Sequence, residues 1–286
     1  MKTYLDCLPC FLSQALKTGR IATADEKTQR KILDKVMEKL VNLPLEASPP
    51  GIAQVVYGTI RDITKNEDPY SAIKKAQNKL ALSFYPEFKK MTQESEDPLL
   101  FAAKLAIAGN IIDLGVRREI KDIKKEVLQT LSEPLVVNNY LSFKNHVIDS
   151  RLILYLGDNT GEIVFDRILV EELKKIGAKR IIFVVREKPI INDVTKEDAE
   201  FVGMDKIVEV LSNGSDAPAT ILSDCASSFK MLFQKADMII AKGQGNYESL
   251  SDEKKNIFFL LKAKCPIVAD HLKVSVGDSI LKERLY

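Results

Sequence analysis

Asp158, Asn159 and Glu162 stand at a point where a buried strand turns into a helix, in the stretch Leu152-Ile-Leu-Tyr-Leu-Gly-Asp-Asn-Thr-Gly-Glu-Ile. The apolar run Leu152–Leu156 has the length and bulk of a strand covered on both faces. Gly157 and Gly161 bracket a tight turn, and Glu162 opens an amphipathic stretch that continues to about Ile176. Two hard oxygen side chains are thus side by side at the carboxyl end of a strand, the edge of an open α/β sheet where ligands bind. A second set has the chemistry of anion binding. Lys242 directly follows an apolar run, and the Gly243-Gln-Gly245 turn after it lets backbone N–H groups approach an anion closely. It is not a dinucleotide fingerprint, which needs a third glycine, nor a P-loop, which needs Gly-Lys-Ser/Thr at fixed spacing. The alternative for Lys242 is a solvated loop lysine.

The elements that must carry these residues repeat one pattern. Arg180–Arg186 reads as a strand, followed by Glu187-Lys-Pro-Ile-Ile-Asn-Asp193 and a helical stretch from Val194 to about Val202. Lys206–Leu211 is a weaker strand that leads through Ser212-Asn-Gly-Ser into a long helix ending near Lys235. Asp237–Ala241 is a short strand, Ser251 to about Ala263 a helix, and Pro266–Asp270 the last strand. Strands alternating with helices imply right-handed βαβ crossovers and a parallel sheet. Asp158/Asn159, Asn192/Asp193, Asn213, Lys242/Asn246/Glu248 and His271 then fall on one sheet edge. Arg186 and Lys188 read as surface charges.

Residues 1 to about 149 differ. Thr28–Leu43, Gly51–Thr64, Pro69–Phe84 and Pro98–Ile112 carry apolar residues at helical spacing, with breaks at Pro49-Pro50, Asp68-Pro69, Tyr85-Pro86 and Asp97-Pro98. Strand alternation is absent before Leu152. The division expected is therefore a helical region, 1–149, beside an αβα core, 150–286, with the boundary between Leu141 and Arg151. Within the helical region Asn110 and Asp113 share one face of an otherwise apolar helix. They either cap its end or lean over the strand ends to meet a ligand.

The 286 residues are 45% hydrophobic, enough to bury a sizeable core. The 42 basic and 40 acidic residues nearly cancel, so no charged tail dictates a nucleic-acid or membrane partner. No apolar run approaches the roughly 18–20 residues of a membrane span, and Met1–Cys10 lacks a signal peptide's apolar core. The plain expectation is a cytoplasmic protein; its oligomeric state is open. Of the four cysteines, Cys225 lies in a predicted helix and suits a buried structural thiol. Cys7 and Cys10 form a CxxC, but a single CxxC and few histidines make a structural zinc site hard to build. No strand precedes it, as a thioredoxin-like role would want.

Four segments resemble the signatures of the DUF89 family: Gly157–Glu162, Lys188–Asp198, Ala241–Glu248 and Ala108-Gly-Asn-Ile-Ile-Asp113. Cys7-Leu-Pro-Cys10, Gly245-Asn-Tyr-Glu248 and Lys264-Cys265 further resemble the CxxC, GNFE-like and KC motifs of its stand-alone subfamily, with Tyr247 in place of Phe. The resemblance spans nearly the whole chain. It implies a helical region with a Rossmann-like αβα core and a metal-dependent damage-control phosphatase acting on small phosphorylated metabolites, such as sugar phosphates or damaged nucleotides. It also implies that Asp158, Asn159 and Asp193 hold a divalent ion (Mn²⁺, Mg²⁺ or Ni²⁺). An all-oxygen donor set suits the hard ions of that group. Asp193 read alone would equally cap a helix beginning at Val194. Asp158, Glu162 and Lys242 are the residues expected to act on the phosphate. Asn110, Asp113, Gly243, Gly245, Asn246 and Glu248 are expected around the substrate, and Cys7, Cys10, Lys264 and Cys265 near the site without a chemical task. The attacking group is either a water activated by the ion or a carboxylate such as Asp158, and Glu162 or Glu248 would orient a water. Glu162 in a first helical turn is also favoured by the helix dipole alone. The competing readings are an S-adenosylmethionine-dependent methyltransferase and a non-enzymatic metabolite- or metal-binding protein. Against the first, Gly-Asp-Asn-Thr-Gly is a poor match to that cofactor's Gly-rich loop.

Overall fold

The computed structural model describes residues 1–109, 111 and 120–286. Asn110 and Asp113 lie outside the described residues. Among the described residues six helices come first: α1 (Cys7–Ala22), α2 (Glu26–Asn42), α3 (Pro49–Thr64), α4 (Ser71–Glu94), α5 (Pro98–Ala108) and α6 (Ile120–Ser132). Their starts follow local chemistry: Asp25 and Asp97 accept N–H bonds from the first turns of α2 and α5, and prolines open α3 and α5. The break expected at Tyr85-Pro86 does not occur, and α4 runs through Pro86. One lost ladder bond is outweighed there by Phe84 and Phe88, which bury on either side of the proline.

The remaining elements are β1 (Val137–Asn138), α7 (Tyr140–Asp149), β2 (Ile153–Leu156), α8 (Glu162–Lys175), β3 (Ile181–Val185), α9 (Lys196–Phe201), β4 (Glu209–Ser212) and α10 (Ser227–Lys235). They are followed by β5 (Met238–Lys242), α11 (Gly243–Leu250), β6 (Ile257–Lys262), α12 (Pro266–Leu272) and β7 (Ser279–Arg284). The sheet order is β1-β7-β6-β5-β2-β3-β4, and every pair is parallel except β6 with β7. This is the expected α/β class with a mostly parallel sheet. Residues of β2, β3 and β5 are buried throughout, as a sheet covered on both faces requires. One core cluster joins these layers: Phe88 of α4 meets Phe165 of α8, and Phe143 of α7 meets Phe258 of β6.

Several elements after residue 190 differ from the expectation. The helix expected over 251–263 is a turn followed by strand β6, because Ile257-Phe-Phe-Leu-Leu is too short for period to distinguish strand from helix. The strand expected at 266–270 is helix α12, opened by Pro266 at its first turn, and the last strand is β7, antiparallel to β6. Gly243-Gln-Gly245, expected as a turn, is instead the start of helix α11. The helix before Lys235 begins only at Ser227, and α9 begins at Lys196 rather than Val194. The two-residue strand β1 lies before Leu152, in the otherwise helical region.

Candidate active site

β2 is flanked by β3 on one side and β5 on the other, so the chain reverses its direction of travel across the sheet there. Such a switch point leaves a crevice beyond the strands' carboxyl ends. Three loops meet at it. The loop after β2 carries Asp158 and Asn159, the loop after β3 carries Asp193, and β5 runs directly into α11 through Lys242 and Gly243.

The first two loops are tied to each other as if they were strands. Val194 N–H donates to the Asp158 carbonyl at 2.9 Å and Thr160 N–H to the Asn192 carbonyl at 2.8 Å, so Asn159 and Asp193 lie opposite one another as an antiparallel bridge pair. Asp158, Asn159 and Asp193 are thereby brought together, all but buried. Helix α4 supports the pairing from the helical region: Gly161 N–H donates to Asn78 Oδ1 at 2.8 Å, and Thr160 Oγ1 donates to Gln77 Oε1 at 2.6 Å. Asn159 Nδ2 donates to Asp158 Oδ2 (2.9 Å) and to Glu162 Oε1 (3.1 Å).

Asp193 is not a helix cap. The cap of α9 is Thr195, in a reciprocal capping box with Asp198. Asp193 instead pairs with Arg186, whose Nε reaches Oδ2 at 2.9 Å while Nη2 donates to the Gly157 carbonyl at 3.2 Å. Arg186 is 1% exposed, so the surface charge expected there is a buried pair. The Ala219 N–H also donates to Asp193 Oδ2, at 3.1 Å. Both donors hold one oxygen and fix the carboxyl plane.

Lys242 is likewise not a solvated lysine. It is 1% exposed, with Nζ 2.8 Å from Asp166 Oδ1 and 3.3 Å from Glu162 Oε2. Asp166 and Glu162 hold its ammonium charged by raising its pKa against the desolvation that lowers it. Asp166, fully buried, accepts also from the Tyr155 hydroxyl at 2.7 Å, and burial pushes its carboxyl up to about 6. Asp166 is one helical turn from Glu162 on α8, a placement that a lone acid between Phe165 and Ile168 could have signalled.

A cleft of about 310 Å³ opens above these loops. Its floor includes Asp158, Asn159, Asn192, Asp193 and Gly245, and its walls include Lys264 and Gln244. The helical region supplies Gln14 and Lys17 from α1, Tyr57 from α3 and Tyr70 from the turn before α4, none of which the sequence motifs pointed to. Lys242, Gly243, Glu162, Asn246 and Glu248, expected at the substrate, are not among the lining residues. Asn246 is buried and joins two loops through its Nδ2, 2.7 Å from the Lys242 carbonyl and 3.4 Å from that of Gly157. Glu248 accepts from Gln244 Nε2 at 2.9 Å, and burial pushes its carboxyl up to about 7. Asn213 is buried and accepts from the Ser215 N–H, and His271 Nδ1 meets the Tyr247 hydroxyl at 2.7 Å on α12, away from the cleft. Lys264 borders the cleft, and Cys265 Sγ lies 3.4 Å from Gln244 Nε2 beside it. Cys225 is buried, as expected of a structural thiol.

Burial raises the carboxyls of both Asp158 and Asp193, and Asp158 is raised further by the negative charges of Glu162 and Asp193. Crowded carboxylates with raised pKa values are relieved by a cation placed among them. Among the described residues no three His, Cys, Asp or Glu side chains form a metal-binding group. The donor set that fits is two carboxylates and the Asn159 carboxamide, which leaves coordination positions for water and substrate.

The family model for the damage-control phosphatase ARMT1-like domain matches residues 3–280. An uncharacterized protein of Methanocaldococcus jannaschii is 38% identical over 98% of this chain and 94% of its own length. Damage-control phosphatases of Pyrococcus horikoshii (35% identity, 97% of this chain and 96% of the relative) and Archaeoglobus fulgidus (34%, 96% and 97%) are similar over the same extent. The crystal structure of a DUF89 family protein from Pyrococcus horikoshii superposes with a TM-score of 0.93 at 33% identity, covering 99% of both chains. The chain belongs to the DUF89 family of damage-control phosphatases with the ARMT1-like domain.

Proposed function

We propose that this chain hydrolyses phosphomonoesters of small metabolites in the cleft above Asp158, Asn159 and Asp193, with a divalent ion held by those three residues. The observation that supports the reading is the bridge pairing of Asn159 with Asp193, which brings these three side chains to one cleft that Lys17 and Lys264 also line. A hard divalent ion bound there would neutralise charge developing on the phosphoryl oxygens.

The protein's own groups supply the rest. Lys17 and Lys264 present ammonium groups to the anionic end of a substrate, and Tyr57, Tyr70 and Gln14 offer hydrogen bonds to a polyol or sugar portion. Lys242 acts from below. Its ammonium holds Glu162 Oε2 while Asn159 Nδ2 holds Oε1, so Glu162 is fixed behind Asp158. Arg186 and the Ala219 N–H orient Asp193 in the same way. These contacts preorganise the floor before substrate arrives, which is where electrostatic stabilisation derives its strength. The relatives named as phosphatases do not favour methyl transfer, and the residue that directly follows β3 is Arg186, committed to Asp193, rather than an acid poised for a cofactor ribose.

The test uses p-nitrophenyl phosphate and a panel of sugar phosphates with the EDTA-treated protein, then Mn²⁺, Mg²⁺ or Ni²⁺. The expected result is turnover that vanishes with EDTA and returns with a divalent ion. Full turnover by metal-free protein, or a calorimetric titration in which S-adenosylmethionine binds and no phosphate is released, overturns the reading.

A further inference from the structure

The reaction leaves the cysteines of α1 without a task, yet two cleft-lining glutamines donate to cysteine sulfurs. Gln14 Nε2 lies 3.2 Å from Cys10 Sγ, and Gln244 Nε2 lies 3.4 Å from Cys265 Sγ. Gln14 is itself held by the Tyr57 hydroxyl, which donates to Oε1 at 2.9 Å. Gln14 and Tyr57 both face the cleft. A change in the Cys10 sulfur is therefore one hydrogen bond removed from the substrate.

Cys7 is the first residue of α1 and Cys10 follows one turn later. Residues three apart on a helix hold their Cβ atoms about 5–6 Å from each other. A disulfide needs about 3.5–4.5 Å. The first turn can close that difference, because its N–H groups lie outside the helical ladder. Access divides the pair's roles. Cys10 is exposed and Cys7 partly buried, where desolvation raises its thiol pKa. Cys10 is the thiol an oxidant reaches, and Cys7 is the resolving partner.

We propose that Cys7 and Cys10 form a reversible disulfide, a modification site at the cleft rim that takes small-molecule disulfides as its oxidant and weakens substrate binding through Gln14. In the first step the Cys10 thiolate attacks one sulfur of the oxidant RSSR; that S–S bond breaks, and RS⁻ leaves and is protonated. In the second, Cys7 gives its proton to solvent and attacks Cys10 Sγ, expelling the second RS⁻, which is protonated in turn. Two protein thiols are oxidised to one disulfide and RSSR is reduced to two RSH. The Cys10 sulfur then turns toward Cys7, one turn before it, and away from Gln14, one turn after it. The effect on binding rests on the phosphatase reading; the disulfide does not.

The test treats the full-length, metal-loaded protein with oxidised glutathione, alkylates remaining thiols and maps tryptic peptides. The peptide Thr3–Lys17 should escape alkylation and be lighter by two hydrogens. Alkylation of both its cysteines at saturating oxidant, or a cross-link to the peptide carrying Cys265, overturns the assignment. Oxidation should raise KM about three- to tenfold, the span one hydrogen bond is worth, with kcat nearly unchanged and full reversal by dithiothreitol. Cys7→Ser, which leaves Cys10 Sγ against Gln14, should keep the reduced-state KM, and with oxidant its Thr3–Lys17 peptide should carry the oxidant's thiol on Cys10 in place of the internal disulfide. An intact disulfide with unchanged KM and unchanged calorimetric affinity for a sugar phosphate overturns the coupling through Gln14. A protein that forms the disulfide and changes sugar-phosphate affinity but turns over no phosphomonoester keeps this inference and overturns the phosphatase reading.

Discussion

Gly243 and Asp158 share a space that a side chain on residue 243 would fill: a Cβ there would stand 1.8 Å from Asp158 Oδ2. The φ of Gly243 is +79°, in the region that L side chains rarely adopt, so two independent constraints select glycine at this position. The close approach is what lets β5 run straight into α11 beside the β2 loop. Gly243→Ala should push Asp158 off the cleft floor. A misplacement of about 1 Å can cost roughly 10²-fold in rate, so kcat should fall by about that factor with a matching loss of Mn²⁺ affinity. A folded alanine variant with wild-type Mn²⁺ binding by calorimetry would separate Asp158 from the metal.

Lys242, Asp166 and Glu162 form a buried unit, and their variants should differ in kind. Lys242→Met strands two buried carboxylates and should lower stability by about 3–5 kcal/mol, the usual cost of deleting one partner of a buried pair. Asp166→Asn keeps an acceptor for both the Tyr155 hydroxyl and the Lys242 ammonium, so it should melt near wild type. Its effect should appear in kcat, reduced about tenfold, because the ammonium is drawn onto Glu162. Thermal melts and steady-state kinetics on both variants distinguish the roles, and an Asp166→Asn enzyme with unchanged kcat would make Asp166 purely structural.

Glu248 gives a pH signature. Its carboxyl is pushed up to about 7 by burial from an ordinary 4.5. The folded state therefore keeps this proton where the unfolded state has lost it, and stability falls as pH rises from 4.5 to 7. Below that window the contribution is fully present, and above it the loss is complete. Glu248→Gln should flatten the stability profile across the window, by up to about 3 kcal/mol. Denaturant midpoints measured at several pH values test this, and parallel profiles for the two proteins would show that Glu248 titrates normally.

Legibility from the sequence followed the length and surroundings of each segment. The strand β2 and its loop were readable because five consecutive apolar residues end in Gly-Asp-Asn, a pattern with few alternatives. The region after Leu250 was not. Ile257–Leu261 and Pro266–Ala269 are both short apolar runs, and only the pairing of β6 with β5 and β7 decides which one is extended. The proposed donors Asp158, Asn159 and Asp193 are nameable through the family motifs, and their convergence rests on a bridge between two loops that no local pattern encodes. Arg186 was misread because a charged residue after a strand usually faces water; its burial follows from Asp193, seven residues on. Gln14, Lys17, Tyr57 and Tyr70 reach the cleft from helices α1 and α3 and the turn before α4, distant in sequence from every motif in the sheet.

The burial of Arg186 makes Asp193 a harder residue to test than a surface ligand. Asp193→Asn keeps the carboxamide shape but leaves the guanidinium, 1% exposed, without its counter-charge. It should therefore lose about 3–5 kcal/mol of stability, and loss of turnover in this variant alone would not distinguish metal binding from a damaged floor. The double variant Arg186→Met with Asp193→Asn removes both charges, and replacing a buried pair by a neutral, packed one is often close to neutral in stability. The Gly157 carbonyl keeps Asn246 Nδ2 as a donor after Arg186 is replaced. If Asp193 is a ligand, the double variant should melt near wild type and still bind Mn²⁺ poorly, with turnover reduced at least about 10²-fold. If Asp193 serves only to neutralise Arg186, restoring stability should also restore Mn²⁺ binding and turnover. Melting temperature, Mn²⁺ affinity and kcat on the two variants decide between these outcomes, and a stable, active double variant would take Asp193 out of the site.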